Sequence, residues 1–147
     1  MTMQASTLIR TGSENERVRG RVADSASLQA FWLLRVGFAV APILAGLDKF
    51  AHVMTDWEKY VAPVVVRILG GHGHEFMMAV GVIEVIAGIG VAILPRVFAY
   101  VVAAWLLGVI VNLLLIPGYY DIALRDLGLA LGAFALGRLS HVHARPR

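Results

Sequence analysis

From Val97 to Pro117 the chain runs for 21 residues without a formal charge. A helix of about 20 residues spans the roughly 30 Å hydrocarbon core of a bilayer, whereas a helix on the surface of a water-soluble domain needs a polar face. That run predicts a membrane-crossing helix. Phe76 to Leu94 is nearly as long and is broken only by Glu84, and Phe31 to Leu47 is apolar except for Arg35. A fourth segment, Tyr120 to Leu139, carries Asp121, Arg125 and Asp126 in its first third and then turns apolar. Alone it reads as a buried helix of a soluble fold. Following three spans through a very short link, it reads as a fourth crossing.

Composition agrees. Hydrophobic residues make up 59% of the 147 and charged residues 16%, against about 25% charged in ordinary globular domains. The absence of cysteine excludes disulfides, iron–sulfur ligation and thiolate chemistry. The net charge of +3 arises mostly in the tails, which points to leaflet orientation and not to nucleic acid. The first apolar run starts near Phe31, too far along for a secretory signal.

The expected fold is all-α: an integral membrane four-helix bundle with short antiparallel connections and one longer external loop. The spans fall at about 31–50, 75–94, 97–117 and 120–139 within a domain of residues 28–140. A polar cytoplasmic tail (1–27) precedes it and a basic tail (141–147) follows. Pro95 with Arg96, and Pro117 with Gly118 and Tyr119, make turns too short for anything but antiparallel neighbours. In the long connection, Trp57, Tyr60, Val61, Val64, Val65, Ile68 and Leu69 recur at helical spacing. Asp56, Glu58, Lys59 and Arg67 supply the polar positions. This predicts a short helix lying along the membrane surface, with Pro63 interrupting its straightness and Gly70, Gly71 and Gly73 loosening its end. Arg10, Arg17, Arg19, Arg21, Arg96, Arg138, Arg145 and Arg147 fall on one side, and only Lys49, Lys59 and Arg67 on the other. The asymmetry predicts a multi-pass protein of a bacterial inner membrane with both termini cytoplasmic.

Charges inside apolar spans are the candidate functional groups, because each costs at least about 2.5 kcal/mol on insertion scales. Arg35 and Glu84 are expected to approach one another, either as a salt bridge locking two helices or as a polar ligand or proton site. Asp48 and Lys49 match Arg125 and Asp126 in depth. They read as terminal anchors in preference to cross-helix pairs. Asn112 either bonds across helices or satisfies a backbone carbonyl. His52, His72, His74 and Glu75 cluster near the long connection but match no recognised ligand motif, so no metal site is expected. The spans contain no histidine, which excludes a bis-histidine haem between them. Gly37, Ala41 and Ala45, and Gly128 with Gly132, offer small-residue faces for close packing.

Three segments carry a resemblance: LLRVGFAVAPILAGLDKF (33–50), GVIEVIAGIGVAI (81–93) and RDLGLALGAFALGRL (125–139). Over roughly residues 31–140 the chain resembles the DoxX-like family of small four-helix membrane proteins. The resemblance implies an accessory or quinone-linked subunit of a membrane redox system, with Arg35, Lys49, Glu84, Arg125 and Asp126 at the family's polar positions.

No catalytic constellation is present, so catalysis by the chain alone is not expected. The leading functional expectation is an accessory structural subunit of a larger membrane complex, redox or respiratory in kind. The alternatives are a quinone-interacting subunit of a membrane oxidoreductase and a small-solute or proton pathway through Arg35, Glu84 and Asn112. No cofactor is required, and a bound lipid or quinone is the ligand to look for at Arg35, Glu84, Asn112, Arg125 and Asp126. The expected partners are membrane lipids and other membrane protein subunits.

Overall fold

A computed structural model describes the backbone of residues 2–143 and the side chains of residues 14–143. Among these residues the fold is all-α, with five α-helices and one 3-10 turn: α1 (Thr2–Ala51), the turn Glu58–Tyr60, α2 (Pro63–Ile68), α3 (Gly73–Ile93), α4 (Pro95–Leu114) and α5 (Tyr120–His143). Residues 2–27 form the first part of α1, continuous with its apolar part.

Local chemistry sets the breaks. Proline at the first helical position has no N–H to leave unpaired, and Pro63 and Pro95 open α2 and α4 in this way. Leu94 alone, with extended-side backbone angles, separates α3 from α4. Gly118 turns the chain between α4 and α5 with φ +95°, where a side chain is strained.

The helices form two tight pairs, α1 against α3 and α4 against α5, with thinner contacts between α3 and α4 and between α1 and α5. In the first pair the backbones touch. A Cβ on Gly46 would stand 2.5 Å from the Gly81 carbonyl oxygen, and one on Gly88 would stand 2.6 Å from that of Ala39. These are not the small-residue faces expected from the sequence. A Cβ on Gly37 or Gly128 would meet nothing within 4 Å, and one on Gly132 meets only the Phe38 ring.

The apolar core divides by end. At one end Phe31, Ala39, Val91, Ala99, Ala133 and Leu136 pack together; at the other, Val61, Met77 and Val80 pack with Trp57, Val65, Phe76 and Trp105. Elsewhere large apolar side chains face outward, such as Leu33, Ile93 and Leu124.

Three expectations are corrected here. The four-helix membrane bundle gives way to five α-helices, of which three rather than four are long and apolar enough to cross a membrane, by length and composition: Glu14–Ala51 within α1, α3 and α4. The charged first third of α5 keeps it out of that set. Of the apolar windows in those three helices only 17%, 33% and 22% is buried inside the chain, so the helices do not enclose one another as a self-contained four-span bundle would. The multi-pass inner-membrane placement with both termini cytoplasmic is corrected with it, because the candidate spans bury so little of their apolar surface against one another. The single surface helix expected over residues 56–69 is split into the 3-10 turn Glu58–Tyr60 and the short α2 (Pro63–Ile68). The chain breaks at Val61 and Ala62, which are buried, and Trp57 and Val65 turn inward onto the second core cluster.

Candidate functional site

The end of the molecule that carries the long connection holds a cavity of about 470 Å³. Ligand pockets commonly fall in the range of roughly 300–1,000 Å³, with mostly apolar walls and a few converging polar groups. Here Val65, Phe76, Met77, Val80, Val109 and Leu113 supply apolar wall, while Lys49, Glu84, Trp105, Asn112, Arg125 and Asp126 supply the polar groups.

Lys49 and Glu84 are the centre of it. Their side chains pair at 2.5 Å and are only 3% and 16% exposed. The Lys49 ammonium also sits 3.8 Å from the centroid of the Trp57 ring. Helix geometry explains the pairing. Side chains tilt toward the N-terminus of their own helix. In the antiparallel pair α1–α3, Lys49 leans back along α1 and Glu84 leans toward the start of α3, so the two converge.

The same geometry removes the expected Arg35–Glu84 contact. Arg35 lies level with Ala92, whose carbonyl oxygen it reaches at 2.5 Å. That is eight residues from Glu84, or about 12 Å at ~1.5 Å per residue, and the two side chains lean apart. Arg35 instead caps the end of α3, one of whose last carbonyls lacks an intrahelical donor, and lies over the Trp32 ring at 4.9 Å. Arg96 does the same for α5, donating to the Ser140 carbonyl at 3.2 Å.

Asp48 is buried and holds the start of the long connection, accepting from Trp57 Nε1 at 2.7 Å and from the amides of Val53 and Met54 at 3.0 Å. Asn112 holds its middle: Oδ1 accepts from the Ala62 amide at 2.9 Å and Nδ2 donates to the Tyr60 carbonyl at 2.5 Å. Both amide groups of Asn112 are thus spent on backbone. We expect Asn112→Ala to destabilise the chain by about 1–3 kcal/mol, because it strands buried backbone groups. Thermal unfolding followed by circular dichroism measures this, and an unchanged midpoint would show the clamp to be dispensable.

Asp126 is buried and bonds its neighbour Arg125 at 3.1 Å, while Arg125 itself is largely exposed. Trp105 lies beside Glu84, its buried indole N–H within reach of that carboxylate. Of the candidates read from the sequence, Glu84, Asn112, Arg125 and Asp126 meet at this cavity and Arg35 does not. Trp105 was missed because one indole in an apolar run carries no spacing signal.

No protein-family model, curated protein or solved structure matches the chain. The description as a DoxX-like transmembrane subunit of a protein complex is accordingly corrected to that of an all-α helical protein.

Proposed function

We propose that the chain binds a neutral amphipathic small molecule of the quinone class in this cavity, with the polar ring beside Lys49, Glu84 and Trp105 and the tail along the apolar walls. The observation that carries the reading is a cavity of ligand size whose mostly apolar walls converge on the Lys49–Glu84 pair. Such a lining, apolar with a few convergent polar groups, suits an amphipathic ligand. The charges support a neutral ligand. Lys49 and Arg125 are balanced by Glu84 and Asp126, so the lining has no excess of one sign to attract a phosphate or a cation.

Gly108 provides the test. It lines the cavity, and a Cβ there would meet nothing within 4 Å. A short-tailed water-dispersible ubiquinone analogue, titrated by calorimetry, is expected to bind the native chain saturably. Gly108→Leu should fill the space and abolish binding while leaving the thermal midpoint unchanged or raised, since replacing a mid-helix glycine gains about 0.5–1 kcal/mol. Non-saturable uptake that this variant shares equally with the native chain would overturn the reading.

A further inference from the structure

We propose that His52, Glu58 and His74 form a binding site for a divalent transition metal of the zinc class, one that pins the long connection to the adjoining ends of α1 and α3. The three residues come from three separate elements: His52 follows α1, Glu58 opens the 3-10 turn and His74 lies in the first turn of α3. One donor atom from each lies within 4.8 Å of the other two. His74 Nδ1 and Glu58 Oε1 are already 2.7 Å apart, and the His52 and His74 rings stack at an interplanar angle of 8° with centroids 6.2 Å apart.

Two imidazole nitrogens and one carboxylate oxygen make a donor set that zinc accepts at bond lengths of about 2.0–2.2 Å, leaving a fourth tetrahedral position for water. Donors around such an ion stand roughly 3.4 Å from one another. All three side chains are exposed, so modest rotations close the remaining distance without disturbing packed neighbours. The metal replaces the existing His74–Glu58 hydrogen bond.

The backbone at His52 points the same way. Its N–H donates to the Asp48 carbonyl at 2.7 Å, and its φ is +52°. Helices commonly end on a residue in this left-handed region, and glycine takes that position without steric cost. Here a metal-ligating side chain occupies it. The neighbouring pair His72 and Glu75, 3.5 Å apart, stands outside the triad and serves as an internal control.

The experiment uses the full chain purified without a histidine tag. Zinc is titrated by calorimetry and cobalt by visible absorption, which reports coordination geometry directly. One equivalent is expected, with cobalt bands of a four- or five-coordinate site. His74→Ala, Glu58→Gln and His52→Asn should each weaken zinc binding by more than about tenfold, the scale on which metal sites respond even to outer-shell changes. Asn tolerates the left-handed backbone, so His52→Asn removes the ligand while keeping the turn, and circular dichroism verifies the fold of each variant. His72→Ala and the double change His141→Asn with His143→Asn should leave affinity within about twofold, well inside that tenfold criterion. Absence of a stoichiometric site, octahedral cobalt bands, or equal weakening by His72→Ala and His74→Ala would overturn the proposal.

Discussion

Replacing Lys49 with Met is expected to destabilise the chain by about 3–5 kcal/mol, because it leaves the Glu84 carboxylate enclosed without its counter-charge. For a chain of this length that corresponds to a fall in thermal midpoint of roughly 6–20 °C. The size of the effect follows from the surroundings. Trp57 covers the ammonium, and Asp126 adds a second negative charge near Glu84, so the largely buried carboxylate loses the one cation paired with it. Glu84→Leu should also destabilise, since Lys49 then loses its main partner and retains the Ala45 carbonyl at 3.5 Å and the Trp57 face. The double change Lys49→Met with Glu84→Leu should recover much of the loss, because two charges withdrawn from water gain little over well-packed apolar groups. Thermal unfolding of the two singles and the double closes the cycle. A coupling energy within about 0.3 kcal/mol of zero would show the residues to be independent.

A single methyl group at the α1–α3 crossing should be comparably damaging. Gly46→Ala would place its Cβ 2.5 Å from the Gly81 carbonyl oxygen and 2.9 Å from Val85 Cγ2, and Gly81→Ala would place one 2.8 Å from the Gly46 carbonyl oxygen. The obstructing atoms are mostly backbone, so neither clash is relieved by a rotamer change and the helices must separate. Overpacking of this kind costs about 1–3 kcal/mol and occasionally more. The expected loss is at the upper end, because separation also draws Lys49 and Glu84 apart. Gly37→Ala and Gly128→Ala are the controls. They meet open space, and a midpoint unchanged or raised is expected from helix propensity alone. Equal effects at Gly37 and Gly46 would mean that the crossing is not held by backbone contact.

The contrast between those glycines shows what was legible beforehand. Helix positions follow from apolar runs and their proline and glycine breaks, so the start of α5 at Tyr120 is read directly, while α4 begins at Pro95, within the pair of residues read as a turn. Which face of a helix packs could not, because in segments apolar all round the side-chain pattern carries almost no directional signal. Gly37 and Gly46 therefore look alike in sequence and differ wholly in the fold. The same loss of direction misplaced Arg35. Position along the helix axis does not by itself carry the tilt of side chains toward each helix start, which sends Lys49 to Glu84 and Arg35 to the end of α3. The count of crossings differs for another reason: α5 combines a charged start, of which only Asp126 is buried, with an apolar remainder, and length alone cannot distinguish packing against α4 from spanning a bilayer. Of the site, Glu84, Asn112, Arg125 and Asp126 stood out as polar residues in apolar stretches. Lys49 was visible only as a terminal charge, and Trp105 was not visible at all.

The division into two tight helix pairs with thin contacts between them has a mechanical consequence. Lys49 and Glu84 stand on one pair; Trp105, Asn112, Arg125 and Asp126 stand on the other. The glycine crossing fixes the first pair internally, and the close approach of Gly137 to the Tyr100 ring, where no Cβ fits, does the same for the second. Deformation is therefore directed into the seam between them, and the single residue Leu94 that links α3 to α4 at the opposite end is the natural pivot. A rotation of a few degrees about that point alters the spacing of the Glu84 and Trp105 walls while both pairs remain intact. The width of the cavity therefore depends on how the two pairs sit against each other, and Asn112 ties α4 to the long connection across that seam.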